Sequence, residues 1–215
     1  MDFNTFLFDF DGTLVDSMTT YVGIMKRILD ENNISYGKEL VKIITPLGFM
    51  GTAKYFREEL GLEMSLESLA KKMGDMAIVE YTYNVPAKNN VINVLNQLKQ
   101  CGASLNVLTA SPHITLDPCL KRLGIYDLFD NVWSCDDFKT TKADPDIYVK
   151  AAELIGVDIS DVLFLDDNYN ADKTAKLAGM KVCGVYDDSS KEYEVEIRQL
   201  CDYYINDFSE LLSEM

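Results

Sequence analysis

Residues 6–14 read FLFDFDGTL, an apolar run that ends at two carboxylates, Asp9 and Asp11, set one residue apart. Such a run is typical of a strand buried in a parallel sheet, and Gly12 ends it in a polar turn. Because side chains alternate along a strand, both carboxylates point the same way from its carboxyl end. They repel each other unless one is protonated or a hard cation lies between them. The stretch therefore predicts an α/β fold with a ligand site at this strand end; an acidic surface turn is the alternative.

The composition limits the classes of partner. The chain has 215 residues, 47% of them hydrophobic, and a formal net charge of −15. Nucleic acids and anionic membranes attract Lys and Arg, so the charge predicts neither as a partner. No apolar run approaches the roughly 20 residues of a membrane span, and no signal peptide is expected. The cysteines lack paired spacing, which predicts free thiols in a reducing, cytoplasmic location. They are Cys101, Cys119, Cys135, Cys183 and Cys201.

The segment that follows the first strand has helical apolar spacing throughout. Helices are predicted at residues 16–33, 39–44, 52–60 and 65–83. A loop is predicted at residues 46–51, because Pro46 ends the preceding helix. This block interrupts the rest of the chain, so we predict a separate all-helical domain at residues 16–84.

Strands and helices alternate in the remainder of the chain. Strands are predicted at residues 105–108, 132–133, 162–165, 181–185 and 203–205. Such alternation gives a parallel sheet with right-handed crossovers. The predicted fold is therefore a Rossmann-like parallel sheet flanked by helices, formed by residues 1–15 and 85–215, with the helical domain inserted.

Polar residues follow three of the predicted strands, and one lysine lies in a loop before a helix. They are Asp9, Asp11, Thr109, Asp166, Asp167 and Lys142. The carboxyl ends of parallel strands meet at one sheet edge, so these side chains should converge on an active site. The set suits phosphoryl transfer, in which one carboxylate attacks phosphorus, a second carboxyl transfers protons and a lysine binds phosphate. Clustered carboxylate oxygens also suit Mg²⁺.

Four motifs, in order and spacing, resemble those of the haloacid dehalogenase (HAD) superfamily of phosphatases, over nearly the whole chain. Residues 9–13 (DFDGT) match the first motif, DxDGT, and residues 109–111 (TAS) match the second. Residues 142–148 (KADPDIY) resemble the third, usually KPxPDxY, and residues 165–167 (LDD) match the acidic fourth. One motif alone is moderately specific, whereas the ordered set of four is very specific.

The resemblance implies a role for each of these residues. Asp9 is implied to be the nucleophile and Asp11 the general acid/base. The implied phosphate ligands are Thr109, Ala110 and Lys142. The implied Mg²⁺ ligands are Asp9, the backbone carbonyl of Asp11, Asp166 and Asp167, with Asp167 as the principal carboxylate.

Two positions depart from the family pattern. Ala143 replaces the proline that usually follows the lysine, which puts the order of that loop in question. Many relatives carry a further acid four residues after the principal metal aspartate, where this chain has Ala171 between Asn170 and Asp172. The second departure concerns the outer shell of the implied metal site.

The helical block resembles the family's cap domain, which selects the leaving group. Cap residues that could face the substrate are Lys42, Thr45, Phe49, Lys54 and Arg57. The alternative is an exposed helix face for the charged residues and a place in the cap core for Phe49. His113, the only histidine, is interpreted as a surface residue at a helix start and not as a catalyst.

Several functions remain open at this level. The first is a magnesium-dependent phosphatase for a small phosphorylated metabolite, acting as a monomer or small homo-oligomer and resembling phosphoglycolate phosphatases. The second is a sugar phosphomutase resembling β-phosphoglucomutase, although those relatives have a histidine where Tyr21 aligns and a threonine where Ser17 aligns. A dehalogenase is disfavoured because that branch lacks the acid at Asp11. A non-catalytic phospho-ligand-binding module is disfavoured because the nucleophile Asp9 is present.

Overall fold

The computed structural model describes residues 3–44 and 47–213. The chain divides into two compact units, one formed by Ser17–Val85 and the other by the residues up to Asp16 together with those from Pro86 onward. Each boundary of the inserted unit lies one residue later than predicted. Each unit has a hydrophobic cluster of its own.

A single sheet is found among the described residues, and all of its strands are parallel. In chain order they are β1 (Thr5–Phe8), β2 (Ser104–Thr109), β3 (Asn131–Ser134), β4 (Val162–Asp166), β5 (Lys181–Val185) and β6 (Tyr203–Ile205). Their order across the sheet is β3-β2-β1-β4-β5-β6. The prediction of a Rossmann-like parallel sheet is confirmed. The order reverses at β1, and ligands bind beyond the carboxyl ends of the strands at such a reversal.

The described residues of the inserted unit form helices joined by turns and loops, with no strand among them. Its helices are α1 (Met18–Glu31), α2 (Leu40–Ile44), α3 (Gly48–Glu58) and α4 (Leu66–Tyr83). Their apolar faces pack on one another through buried residues such as Ile28, Phe56 and Met73. Ser65 caps α4, since its hydroxyl accepts a hydrogen bond from the Ser68 amide at 3.1 Å.

The predicted loop at residues 46–51 is wrong from Gly48 onward, where α3 has already begun. Phe49 packs against the helical core and stacks on Tyr21, with 5.7 Å between ring centroids. This packing favours helix although glycines at positions 48 and 51 weaken the local signal. Pro46 lies outside the described residues.

The sheet is flanked by the remaining helices. They are α5 (Val91–Gln100), α6 (His113–Arg122), α7 (Cys135–Phe138), α8 (Asp146–Ile155), α9 (Tyr169–Ala178), α10 (Glu194–Leu200) and α11 (Ser209–Ser213). Gly156 and Gly179 end α8 and α9 with φ of 86° and 113°, which glycine adopts without strain. Within the described ranges, no helix is both long and apolar enough to cross a membrane.

The central strands are buried on both faces, as their apolar sequences require. Every residue of β1 is buried, and so is every residue of β4. The register pairs Phe8 of β1 with Val107 of β2 on one side and with Leu165 of β4 on the other. The residues that follow these strands therefore emerge side by side at the same edge.

Candidate active site

Asp9 and Asp166 are neighbours because of the strand register. Asp9 follows Phe8, Asp166 follows Leu165, and these two strand residues are paired. The Asp9 amide donates to the Leu165 carbonyl at 2.8 Å, which extends the ladder to the acid itself. The two carboxylates thus start from adjacent points of the sheet edge, and Asp167 follows directly.

Three buried acids converge here. Asp9, Asp166 and Asp167 each offer a carboxylate oxygen that lies within 4.8 Å of the others, and their residues are 6%, 0% and 8% exposed. Lys142 joins two of them, since its ammonium donates to Asp9 Oδ1 and, at 2.8 Å, to Asp166 Oδ2. The other oxygen of Asp166 accepts the Asn168 amide at 2.7 Å. The structure therefore brings together four of the predicted site residues, Asp9, Lys142, Asp166 and Asp167.

The electrostatics of this cluster follow from burial. Burial, then the charge of Asp166, raises the pKa of Asp9 to about 7, although Lys142 acts in the opposite direction. Burial and the charges of Asp166 and Asp9 hold the pKa of Asp167 well above its ordinary value. Burial lowers the pKa of Lys142, but Asp166 and Asp9 outweigh it and raise this pKa well above its usual range.

A divalent cation fits this donor set. Full ionisation gives the cluster three negative charges from Asp9, Asp166 and Asp167, and Lys142 supplies one positive charge. Two negative charges are thereby left for a cation to balance. Carboxylate oxygens are also the ligands that Mg²⁺ prefers. The chemistry of the donors is thus compatible with the expected metal.

Asp167 is held by the turn after β1. The Thr13 hydroxyl donates to Asp167 Oδ1 at 3.2 Å. Gly12 adopts φ +77°, and a Cβ at that position would lie 2.6 Å from Asp167 Oδ2. Glycine is required here both by its dihedral angle and by the close approach of the carboxylate.

Asp11 lies outside the three-acid cluster and has a different partner. Its Oδ2 accepts a hydrogen bond from the Ser111 hydroxyl at 2.5 Å. The Ser111 amide in turn donates to Thr109 Oγ1 at 3.0 Å, so the loop after β2 is folded onto the Asp11 carboxyl. Thr109 is buried and Ala110 is exposed at this edge. The loops after β1 and β2 are thus joined at the predicted acid/base.

The loop that carries Lys142 is ordered without the usual proline. Ala143 is exposed, and Asp144 binds the Thr140 hydroxyl at 2.8 Å, which closes the loop. Tyr148 donates from its hydroxyl to the carbonyls of Lys142 and Ala171, at 3.2 Å each. These bonds restrain the lysine backbone where a proline ring would otherwise do so.

The structure also shows the surroundings of Ala171, which stands where many relatives carry a further acid. Ala171 is buried, and Asp172 is not one of the three acids whose oxygens converge, although the charges of Asp166 and Asp167 contribute to raising its pKa. One Asp172 oxygen accepts from the Cys201 thiol at 3.4 Å, and the other has no hydrogen-bond partner among the described residues. Asp172 is therefore not part of the converging carboxylate group.

The candidate cap residues divide as follows. Lys42, Lys54 and Arg57 are exposed, and Lys54 lies 3.9 Å from Glu58. Phe49 packs in the helical unit. Thr45 lies outside the described residues. His113 begins α6 with a 41% exposed side chain, and its ring nitrogens each lie 2.8 Å from an acid, Asp117 or Asp137.

Four residues that the sequence analysis did not single out lie at or beside this edge of the sheet: Thr13, Lys88, Ser111 and Asp187. Thr13 and Ser111 stand inside recognised motifs, but their partners could not be assigned from spacing. Asp187 follows β5 at the same sheet edge, which is a usable signal for an acid near the site. Lys88 has no comparable signal, because it lies in the connection between the helical unit and α5.

The sheet order and the buried acid–lysine cluster at β1 define a Rossmann-like α/β enzyme with its centre at the strand reversal. The chain belongs to the haloacid dehalogenase-like hydrolase family, whose model matches residues 6–185. The predicted class of enzyme is thereby confirmed, and the phosphatase names of similar proteins agree with it.

Two named relatives illustrate the similarity. Pyrophosphatase PpaX of Bacillus velezensis is 30% identical over 186 residues, which cover 83% of this chain and 81% of the relative. A phosphoglycolate phosphatase of Psychrobacter arcticus is 27% identical over 219 residues, which cover 93% of this chain and 90% of that protein.

Solved structures share the fold. A predicted phosphoglycolate phosphatase from Haemophilus somnus has a TM-score of 0.83 at 21% identity, covering 99% of this chain and 98% of the other. A variant of CbbY from Rhodobacter sphaeroides, bound to xylulose-(1,5)bisphosphate, has a TM-score of 0.79 at 18% identity, covering 97% and 96%.

Proposed function

We propose that this chain is a magnesium-dependent phosphatase that hydrolyses a small phosphorylated metabolite through an aspartyl-phosphate intermediate. The position of Asp9 carries the proposal. It follows the central strand, accepts a hydrogen bond from Lys142, and lies in a group of three acids whose oxygens are within 4.8 Å of one another. A carboxylate placed beside an ammonium can attack a phosphoryl group whose charge the ammonium offsets.

In the proposed first step, an Asp9 oxygen forms a bond to phosphorus while the bond from phosphorus to the leaving oxygen breaks. Asp11 gives its proton to that leaving oxygen, so the product departs as an alcohol. The Ser111 hydrogen bond orients the Asp11 carboxyl. Thr109, Ala110 and Lys142 bind the phosphate oxygens that do not react.

In the proposed second step, Asp11 is a carboxylate and takes a proton from water. The water oxygen attacks phosphorus, the bond from phosphorus to Asp9 breaks, and inorganic phosphate leaves. Asp9 is restored as a carboxylate and Asp11 as an acid, so the cycle closes with one ester bond and one water consumed.

The residues proposed to hold Mg²⁺ are Asp9, the backbone carbonyl of Asp11, Asp166 and Asp167, with Asp167 as the principal carboxylate. When bound, Mg²⁺ supplies positive charge that reduces the repulsion between the Asp9 carboxylate and an anionic phosphate.

The phosphomutase alternative is less well supported. The position that is histidine in β-phosphoglucomutases is Tyr21 here, and a phenol is a poor proton carrier at neutral pH. The Tyr21 hydroxyl lies 2.8 Å from Thr52 Oγ1 and 3.2 Å from the Ile44 carbonyl, so its hydrogen bonds are made within the helical unit. Burial also raises its pKa. These contacts favour hydrolysis over transfer between sugar positions.

We further propose that Ser17–Val85 is a cap domain that selects the leaving group, with Lys42, Lys54 and Arg57 as candidates. A cytoplasmic location is part of the same proposal, because the five cysteines are free thiols, which suit a reducing compartment. A monomer or small homo-oligomer is expected.

A screen of phosphorylated metabolites tests the activity. Phosphate release is measured with Mg²⁺, with EDTA, and with EDTA followed by excess Mg²⁺. Pyrophosphate, phosphoglycolate and sugar phosphates form the first panel, since two relatives are named for the first two. We expect chelation to abolish turnover and Mg²⁺ to restore it. Full activity in chelator would contradict the metal dependence, and sugar phosphate isomerisation without phosphate release would favour the mutase.

A further inference from the structure

Lys88 lies outside every recognised motif, yet its ammonium is held beside the turn that follows β1. Its Nζ donates to the Gly12 carbonyl at 2.6 Å, to the Tyr186 carbonyl at 2.5 Å and to Asp187 Oδ2 at 3.0 Å. The side chain is only 18% exposed. A lysine ammonium has three donors, so the geometry provides one oxygen for each.

The backbone around Lys88 is fixed to the same turn. The Lys88 amide donates to the Leu14 carbonyl at 3.0 Å, and the Asp16 amide donates to the Pro86 carbonyl at 3.0 Å. Val15 and Ala87 form an antiparallel bridge between them. The Lys88 side chain therefore extends from a short backbone segment that is hydrogen-bonded to the turn, and this pairing limits the positions that its ammonium can adopt.

Gly12 connects this lysine to the acid cluster. The Gly12 carbonyl binds Lys88, while the open Cα side of Gly12 faces the Asp167 carboxylate so closely that a Cβ would lie 2.6 Å from Oδ2. Thr13, the next residue, binds Asp167 Oδ1 at 3.2 Å. A displacement of this turn would therefore move two groups that hold Asp167.

We propose that Lys88 is a positioning residue for the metal-binding acids. By fixing the Gly12 carbonyl between the loops after β1 and β5, it keeps the turn against Asp167 and thereby preserves the arrangement of Asp167 with Asp9. The proposal rests on the proposed function, because it assigns Lys88 to the Mg²⁺ site of that reaction. Partners behind metal ligands commonly have this effect, and their loss weakens metal affinity or activity by about 10–100-fold.

A purely structural lysine would behave differently. If the contacts of Lys88 contribute only to stability, their removal lowers the amount of folded protein but leaves the affinity of the folded molecules for Mg²⁺ unchanged. Metal affinity of the folded fraction is therefore the measurement that separates the two roles, and it does not require turnover.

The test compares Lys88→Met with Lys176→Met. Methionine keeps an unbranched chain and removes the ammonium. Lys176 is a matched control, since its ammonium also binds a carbonyl, that of Leu200 at 2.6 Å, and lies 3.4 Å from an aspartate, Asp202. Mg²⁺ affinity is measured by titration calorimetry on each full-length protein, together with the melting temperature and the Mg²⁺ concentration that half-activates hydrolysis.

We expect Lys88→Met to bind Mg²⁺ about 10–100-fold more weakly, with a parallel rise in the half-activating concentration, while Lys176→Met matches the wild type. Unchanged Mg²⁺ affinity in folded Lys88→Met would overturn the proposal, and so would an equal loss in both variants. If Lys88→Met does not fold, Lys88→Gln replaces it. Its shorter side chain carries no charge and only two donors, so it cannot reproduce the three bonds of the ammonium; its Mg²⁺ affinity should also fall, and wild-type affinity would overturn the proposal.

The calorimetric result also separates this proposal from the proposed function. A wild-type protein that binds Mg²⁺ but hydrolyses none of the phosphates contradicts the phosphatase assignment and leaves the Lys88 comparison intact. A wild-type protein that binds no Mg²⁺ contradicts both.

Discussion

Two groups of buried acids lie near the start of α9 and differ in their hydrogen-bond partners. The first is the cluster of Asp9, Asp166 and Asp167 just before the helix, and the second is Asp172 in its first turn. Asp166 and Asp172 are both fully buried. Burial raises the pKa of Asp9 and of Asp172 alike, so desolvation by itself does not distinguish a functional acid from a structural one.

The difference lies in the partners. Lys142 binds two acids of the first region, and the carboxylate oxygens converge so that a further cation would meet several ligands at once. Among the described residues, the hydrogen-bond partner of Asp172 is the Cys201 thiol and its second oxygen has none, while the charges of Asp166 and Asp167 add to the effect of burial in raising its pKa. Converging carboxylates whose negative charge is not fully balanced can bind a further cation. A buried acid without a cationic hydrogen-bond partner instead lowers the stability of the folded state.

The largest expected effect is the loss of turnover when an acid of the first region, the cluster of Asp9, Asp166 and Asp167, is replaced. Asp9→Asn replaces the carboxylate that we propose attacks phosphorus with an amide oxygen that cannot readily do so, and turnover should therefore fall by about 10⁴-fold or more. Asp172→Asn makes the same chemical change at an equally buried position and should keep wild-type turnover. Initial rates with p-nitrophenyl phosphate and a metabolite measure both. Equal losses in the two variants would remove the proposed distinction between the regions.

Asp11→Asn should have a smaller effect that depends on the substrate. Proton transfer is typically worth about 10²–10⁴-fold, and p-nitrophenolate leaves with little help from an acid. Phosphorylation of Asp9 should therefore persist with that substrate, while hydrolysis of the intermediate slows and the intermediate accumulates. Rapid-quench measurement of acid-stable protein-bound phosphate tests this. Trapped phosphate in Asp9→Asn and none in Asp11→Asn would mean that the two roles are reversed.

Removal of the lone acid should stabilise the protein. Burial holds the native pKa of Asp172 well above the unfolded value of about 3.9, so the native state keeps its proton to higher pH. The free energy of unfolding therefore loses a contribution as pH rises from about 4 towards the native pKa. Asp172→Asn stays neutral at every pH and should be more stable by about 1–3 kcal/mol at pH 8.

Urea unfolding of wild type and Asp172→Asn at pH 4.5 and pH 8 measures this prediction. The advantage of the variant should grow with pH and be small near pH 4. An advantage that is the same at both pH values would show that ionisation of Asp172 does not contribute.

The smallest expected effect concerns Asp117 and Asp137, two acids at the surface that share the His113 ring as a partner. Hydrogen bonds that the His113 ring donates to Asp117 and then to Asp137 raise the pKa of His113. Its stabilising contribution is therefore complete below about pH 6.5 and is lost as pH rises through the native pKa. Since the side chain is 41% exposed, the contribution should be below about 1 kcal/mol.

The comparison is between wild type and His113→Gln, with melting temperatures at pH 5.5 and pH 9. The wild-type advantage should shrink at the higher pH. Because the chain has one histidine, its proton NMR titration reports this pKa directly, and a value at or below 6.5 would contradict the prediction.

Much of the fold followed from local pattern. Apolar runs and strand–helix alternation predicted the parallel sheet, and the helical block was recognisable because its periodicity never changed. The start of α3 was missed, since the packing of Phe49 on Tyr21 outweighs the local signal of two glycines. Local propensity cannot report such contacts because they join residues far apart in sequence.

By itself, the sequence determined the chemistry available at the sheet edge, because parallel topology brings the ends of β1, β2 and β4 together whatever the loops do. Tertiary structure alone decided how that chemistry is arranged. It joined Lys142 to Asp9 and Asp166, folded Ser111 onto Asp11, and set Lys88 against Gly12. It also left Asp172 with only a thiol partner. The physical reason is that a side chain's partners depend on distance in space, and spacing along the chain specifies that distance only within a helix or a strand.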